Sequence, residues 1–289
     1  MLFRIRYTTC YVYEHPACES HNQLRLRPGD SAEQKCLDFR LDVTPAALIS
    51  EHRDQFGNVA HSVTVTDPHN ELIIVADSIV DRIELVSRRA PHVIFSEYLA
   101  DDSARTEQYR DFLGESHYVP FSSRLRKFFW SVHPSMDEDL TDYTERMIAY
   151  VRDQFGYDRE TTHVHSTVDD ILSAGGGVCQ DFAHLSIGLL RLAGIPTRYV
   201  SGYVAPKASG NAPAELASHA WIEVMLPPLG WTGFDPTYRS RTSIQHIKVA
   251  VGRDYNDVPP VCGSYKSSGG NQRMSFELSV RQTADLTLN

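Results

Sequence analysis

The chain has 289 residues, 42% hydrophobic and 22% charged, which is the balance of an ordinary globular protein and enough length for more than one packed module. Lys and Arg number 28 against 37 Asp and Glu, a formal net charge of -9 without a long basic run, which disfavours nucleic acid and anionic membrane as partners. Cys10, Cys18, Cys36, Cys179 and Cys262 are odd in number and form no C-x-x-C pair, so a disulfide framework, a zinc cage and a metal or organic cofactor are all unexpected.

Alternation begins at once. Phe3, Ile5, Tyr7, Tyr11 and Tyr13 share one parity, as do Leu37, Phe39, Leu41 and Val43, and a period of two means half-buried sheet. There is no charged segment followed by an apolar stretch that would read as a signal peptide, and no apolar run reaches membrane-spanning length, so a cytoplasmic location is expected. Further runs at 59–66, 72–76 and 79–85 are separated by turn residues such as Arg27-Pro28-Gly29-Asp30, Gly57-Asn58 and Asp67-Pro68. They predict an antiparallel β-sandwich-like module over residues 1–90, with its boundary near residues 88–91, and an α+β protein as a whole.

From Phe95 the segments become helix-compatible, through Asp111, Phe112 and Leu113 and then residues 124–130. A clearer helix follows, where Tyr143, Met147, Tyr150, Val151 and Gln154 recur at helical spacing with Thr141 as the expected N-cap; all but Gln154 should face the core. Ser166-Thr167-Val168-Asp169 has capping-box spacing, with Asp for the usual Glu, and predicts a short helix ending at Gly175. The acids Asp137-Glu138-Asp139 lack a cation-loop pattern and read as a solvated helix approach. His163-x-His165 has no thiolate or carboxylate cluster beside it and is not read as a metal site.

Gly175-Gly176-Gly177-Val178-Cys179-Gln180-Asp181-Phe182-Ala183 then runs a glycine-rich loop into an apolar helix. Phe182, Leu185, Leu189 and Ala193 form one face, Ala183, Ile187 and Leu190 widen it, and Gly194 and Pro196 end it, so the helix should be enclosed and its first turn rigid. The first N–H groups of a helix lack intrahelical partners and carry partial positive charge, which favours a thiolate at Cys179. A free cysteine is more often a small buried hydrophobe, so the nucleophile reading requires a base and a group that orients the base. The glycines are expected to let backbone pass close to the thiol, and no Gly-Lys-Ser/Thr follows that would make a phosphate loop.

A strand at 199–204, a polar Pro/Ala/Gly-rich loop at 206–217 and two more strands complete the set. His219 opens Ser218-His219-Ala220-Trp221-Ile222-Glu223-Val224-Met225, and Asp235 closes Trp231-Thr232-Gly233-Phe234-Asp235-Pro236. With residues 226–230 as the loop, Met225 faces Trp231 and Trp221 faces Asp235. His219 then lies one diagonal position from Asp235 on the same face, at roughly 7–8 Å between Cα atoms. Cys179, His219 and Asp235 thereby supply a nucleophile, a base and the group that fixes the base's tautomer.

The segments Gly177-Val178-Cys179-Gln180-Asp181-Phe182-Ala183, Ala193-Gly194-Ile195-Pro196-Thr197-Arg198-Tyr199-Val200, Ser218-His219-Ala220-Trp221 and Trp231-Thr232-Gly233-Phe234-Asp235-Pro236 resemble, in order, the core of the transglutaminase-like superfamily of papain-like cysteine enzymes. Asn22-Gln23-Leu24-Arg25-Leu26-Arg27-Pro28, Val249-Ala250-Val251-Gly252-Arg253-Asp254-Tyr255 and Val258-Pro259-Pro260 resemble its bacterial branch, which has an N-terminal β module. The resemblance implies a catalytic core over residues 91–245, with residues 246–289 forming strands that pack back on the module or the core. It implies Cys179 as thiolate, His219 as general base and acid, Asp235 as orienter, and a peptide or protein as substrate. The backbone N–H of Cys179 is the expected first oxyanion donor; no second is identified, Tyr157 reading better as packing. Peptide or amide hydrolysis through a thioester is the expected reaction. Transfer to an amine, as in a protein-glutamine gamma-glutamyltransferase, and a non-catalytic scaffold remain open, as do calcium dependence and oligomeric state.

Overall fold

In the computed structural model, which describes residues 1–84, 92–101, 107–206 and 218–288, the chain opens with a long strand, β1 (Leu2–Leu24). Phe3, Ile5 and Tyr7 are buried on one face while their neighbours are less so, as the period of two requires. Strands β2 (Gln34–Thr44) and β3 (Leu48–Arg53) are followed by β4 (Val59–Val65) and β5 (His69–Arg82). β5 pairs with the first part of β1 and β4 with its last residues, so β4 and β5 lie end to end along one side of it. β2 and β3 lie outside them in the same way, on β5 and β4. The ladder shifts register between Val12 and Ala17, and the sheet curls there until Ile5 and Tyr7 share one apolar cluster with Leu24 and Val63. The runs expected at 72–76 and 79–85 are one strand, because the polar pair between them stays in the ladder: Asp77 faces Arg6, which donates to its Oδ2 at 3.0 Å.

After the boundary expected at residues 88–91, all of which lie outside the described residues, come α1 (Phe95–Ala100), a 3-10 turn at Glu107–Phe112 and α2 (Ser123–Phe129). α3 (Leu140–Gln154) buries Tyr143, Met147 and Val151. Its cap is Asp139 and not Thr141, since the Asp139 carboxylate accepts from the N–H groups of Thr141 and Asp142 at 2.8 and 3.2 Å. Glu138 in the same acidic run is held by Arg146 at 2.7 Å. β6 (Gly156–Tyr157) precedes α4 (Val168–Ala174). Thr167 caps α4 with Asp170 reciprocating, one residue later than expected, because the Ser166 hydroxyl is used by the His163 N–H. Gly175 ends α4 at φ 75, a left-handed conformation that glycine adopts without strain. β7 (Gly176–Gly177) pairs in parallel with β6 and leads into α5 (Cys179–Leu192).

α5 is buried from Asp181 to Arg191 and packs on a five-stranded antiparallel sheet. That sheet is built from β8 (Thr197–Val204), β9 (Ser218–Leu226), β10 (Gly230–Asp235), β11 (Ser240–Arg241) and β12 (His246–Gly252) in the order β11-β10-β9-β8-β12. The polar loop expected at 206–217 lies outside the described residues after Pro206. β13 (Val261–Lys266) and β14 (Gln272–Gln282) return to β1 and run end to end along its other side. Tyr203, Ala205, Ile247 and Val249, from the sheet under α5, sit in the apolar cluster of the N-terminal sheet. Among the described residues no helix is long and apolar enough to cross a membrane.

Candidate active site

Cys179 is the first residue of α5, and the turn that presents it is fixed by Asp181. The Asp181 Oδ2 accepts from the Val178 N–H at 2.7 Å and from the Thr162 hydroxyl. Burial raises the pKa of this carboxyl, against the lowering effect of those two bonds, and its Oδ1 has no partner. Gly177 serves this arrangement, and Gly176 serves the pairing of β7 with β6. A Cβ on Gly177 would overlap the Asp181 carboxylate, and one on Gly176 would stand 3.0 Å from the Gly156 carbonyl oxygen.

His219 enters from β9 and Asp235 from the end of β10. Met225 pairs with Trp231 and Ile222 with Phe234, which is the expected register, although Leu226 and Gly230 also pair and the loop between them is shorter than expected. His219 Nε2 lies 2.6 Å from Asp235 Oδ2, and Cys179 lines the same cleft as His219, near enough to act on its imidazole. Since Nε2 faces the carboxylate, Nδ1 is the nitrogen left for sulfur. The structure therefore brings together all three residues that the sequence singled out.

Burial disfavours a charged imidazole at His219, but the hydrogen bonds to Asp235 and Cys179 and their charges overcome it and raise its pKa to about 10. Burial likewise disfavours a charged Asp235, yet hydrogen bonds from His219 and His246 and their charges lower it to about 2. An imidazolium is the form of His219 that this environment favours. His184, on the same helix as Cys179, is no rival base: burial and the charge of Arg191 lower it to about 3, and its Nε2 accepts from the Tyr255 N–H at 3.1 Å. His165 is occupied by the Tyr118 hydroxyl at 3.0 Å.

His246, at the head of β12, is a residue that the sequence reading missed. Its Nε2 is 3.0 Å from the same Asp235 Oδ2, while the Ser243 backbone N–H donates to its Nδ1 at 3.1 Å. The other carboxylate oxygen accepts from the N–H groups of Thr237 and Tyr238 at 2.9 and 3.3 Å. The available signal was a histidine leading an otherwise apolar strand, His246-Ile247-Lys248-Val249-Ala250-Val251. Trp221 lies edge-on to His246, with ring centroids 5.3 Å apart. Gly202, paired with His219, leaves room for that indole, since a Cβ there would be 2.5 Å from it.

His219, Asp235 and His246 could geometrically gather around a cation, their ligand atoms lying within 4.8 Å of one another. They do not fit one chemically. An N–H donor already occupies Nδ1 of His246, so its Nε2 must carry the proton and cannot ligate. The cleft in front of the triad has a volume of about 1020 Å³. Tyr157, Tyr199, Tyr238 and Tyr255 give it aromatic walls, Arg159 and Arg241 line it, and no carboxylate does so among the described residues. Tyr157 is half-exposed there, so it faces the cleft as well as packing near Phe182.

Residues 3–81 match the bacterial transglutaminase-like N-terminal region and residues 133–236 the transglutaminase-like superfamily. A protein of Mycobacterium leprae described as uncharacterized is 33% identical over 268 residues, covering 92% of this chain and 94% of that one. A protein-glutamine gamma-glutamyltransferase of Pseudomonas aeruginosa is 38% identical over 77 residues, covering 25% of this chain and 12% of that one. A provisionally named cysteine protease from Cytophaga hutchinsonii has the same fold, with a TM-score of 0.75 and 22% identity over 99% of this chain and 92% of that one.

Proposed function

This chain belongs to the transglutaminase-like superfamily, and from that premise we propose that it is a cysteine-dependent acyl-transfer enzyme that hydrolyses a peptide or amide bond. The observation that carries the reading is the 2.6 Å bond from His219 to a buried, doubly bonded Asp235 oxygen beside a cysteine at a helix start. In this mechanism the Cys179 thiolate attacks the carbonyl carbon and the C–N bond breaks. The His219 imidazolium gives its proton to the departing amine, leaving a thioester and a neutral imidazole. Water then attacks the thioester, His219 takes its proton, the C–S bond breaks, and the carboxylic acid leaves as the thiolate–imidazolium pair is restored. The Cys179 N–H, free at the helix start, stabilises the oxyanion.

Water is favoured over an amine as acceptor because a lysine or polyamine would enter as a cation. The described cleft offers arginines and an imidazolium but no carboxylate to hold one. Aminolysis is the second reading, supported by the segment similar to a gamma-glutamyltransferase. Incubation with a glutaminyl peptide and a labelled primary amine separates the two. Release of ammonia or a peptide fragment without label in the product is expected for hydrolysis, and incorporation exceeding hydrolysis would reverse the assignment. Cys179→Ala should abolish either reaction.

A further inference from the structure

We propose that His246 is a positioning residue of this site, a neutral donor that holds the Asp235 carboxylate in line with His219; the proposal rests on the triad reading above. Asp235 is fully buried, and its two oxygens are each bonded twice, by His219 and His246 on one side and by the N–H groups of Thr237 and Tyr238 on the other. A buried carboxylate with an unfilled lone pair can rotate or take up a proton, and either would release the imidazole. A second positive charge at this place would compete with the His219 imidazolium for the same oxygen. The Ser243 N–H at 3.1 Å and the Ser243 hydroxyl at 3.2 Å both lie at Nδ1 of His246, and with the N–H donating there His246 supplies a bond without a charge. Among the described residues, the ionisable groups that act on this carboxylate are His219 from β9, Tyr238 after β10 and His246 from β12, while Cys179 from α5 acts on His219.

The test is the rate of Cys179 alkylation by iodoacetamide as a function of pH, which needs no knowledge of the substrate. His246→Ala should slow alkylation at mildly acidic pH by about 10-fold or more and move the acid limb of the profile to higher pH, and His246→Gln, which keeps a donor, should restore part of both. A profile in His246→Ala that overlays the native one overturns the proposal. A native Cys179 that reacts no faster than the other thiols overturns the triad reading instead. Nitrogen NMR of the native protein is independent of any variant: His246 must hold its proton on Nε2 across the range where His219 carries two, and a doubly protonated His246 at neutral pH overturns the role.

A separate observation concerns the outer edge of the N-terminal sheet. Among the described residues β14 pairs with β1 alone, every residue from Gln272 to Glu277 is exposed, and Met274 and Phe276 are 55% and 45% exposed without a proline or lysine to protect the strand. We infer that this edge pairs with its counterpart in a second copy of the chain, antiparallel about a two-fold axis at Ser275. In that register Arg273 faces Glu277 of the partner subunit and Met274 faces Phe276 of the partner subunit, each twice by symmetry. Centring on Glu277 instead would oppose like charges, and centring on Ser279 would set Phe276 against Gln282 and leave Met274 beyond the end of the paired strand.

Sedimentation at micromolar concentration should show a dimer, Arg273→Glu and Glu277→Arg should each be monomeric, and an equimolar mixture of the two variants should recover the dimer. A monomeric native protein, or variants that still dimerise, overturns the inference. Disruption by Arg281→Glu with no effect of Arg273→Glu overturns the register and with it the proposed interface.

Discussion

Asp235 is where burial and charge are most finely opposed, because a carboxylate with no solvent exposure is held ionised only by its donors. Asp235→Asn should leave the backbone bonds from Thr237 and Tyr238 in place but present the wrong tautomer to His219, and turnover should fall by about 10⁴-fold. The same pair sets a pH signature on stability. Asp235, lowered to about 2 from 3.8, contributes stability that is present above 3.8 and lost as pH falls through 2. His219, raised from 6.5 to about 10, contributes stability that is full below 6.5 and lost as pH rises through 10. Thermal unfolding of the native protein and of His219→Gln should therefore differ most between about pH 4 and 6.5, with the gap closing towards pH 10. A gap that widens towards pH 10 would mean that the imidazolium is not the favoured form.

At the scale of elements, the thiol depends on a turn in which Gly177 is a spacer for Asp181. Gly177→Ala forces a Cβ into the Asp181 carboxylate, so α5 should stay folded on its sheet while its first turn shifts. Loss of most activity with circular dichroism and melting temperature near native is expected, and Asp181→Asn should be far milder, since an amide oxygen can still accept from Val178. The meeting of His219 and Asp235 was legible in advance because it rests on counting: a period of two and a turn length put them on one face. His246 was not, because β12 joins the sheet beside β8, far from β10 in strand order, and only the curvature of the sheet and the shared oxygen bring it near. The helix caps were misplaced by one or two residues for a simpler reason. Neighbouring Ser, Thr and Asp compete for the same N–H groups, and tertiary bonds such as that from the His163 N–H to Ser166 decide among them.

At the scale of the whole molecule, the N-terminal sheet and the sheet that carries His219 are joined by a shared core and by two buried amides. The Asn58 side chain donates to the Val251 carbonyl at 2.7 Å and accepts from its N–H at 2.8 Å, and Gln34 makes the same two-way contact with Lys248. Both contacts land on β12, the strand that begins with His246. Asn58→Ala would leave the backbone N–H and carbonyl of Val251 unpaired, and should cost about 2–3 kcal/mol, seen as a lower midpoint in one cooperative urea transition. Because β13 and β14 complete the N-terminal sheet from the other end of the chain, deleting residues 1–90 would strip the partner from both strands and expose Tyr203, Ile247 and Val249. The remaining core is therefore expected to aggregate and not to survive as an active fragment. A soluble fragment with native alkylation kinetics at Cys179 would show instead that the site holds β12 in place without the N-terminal sheet.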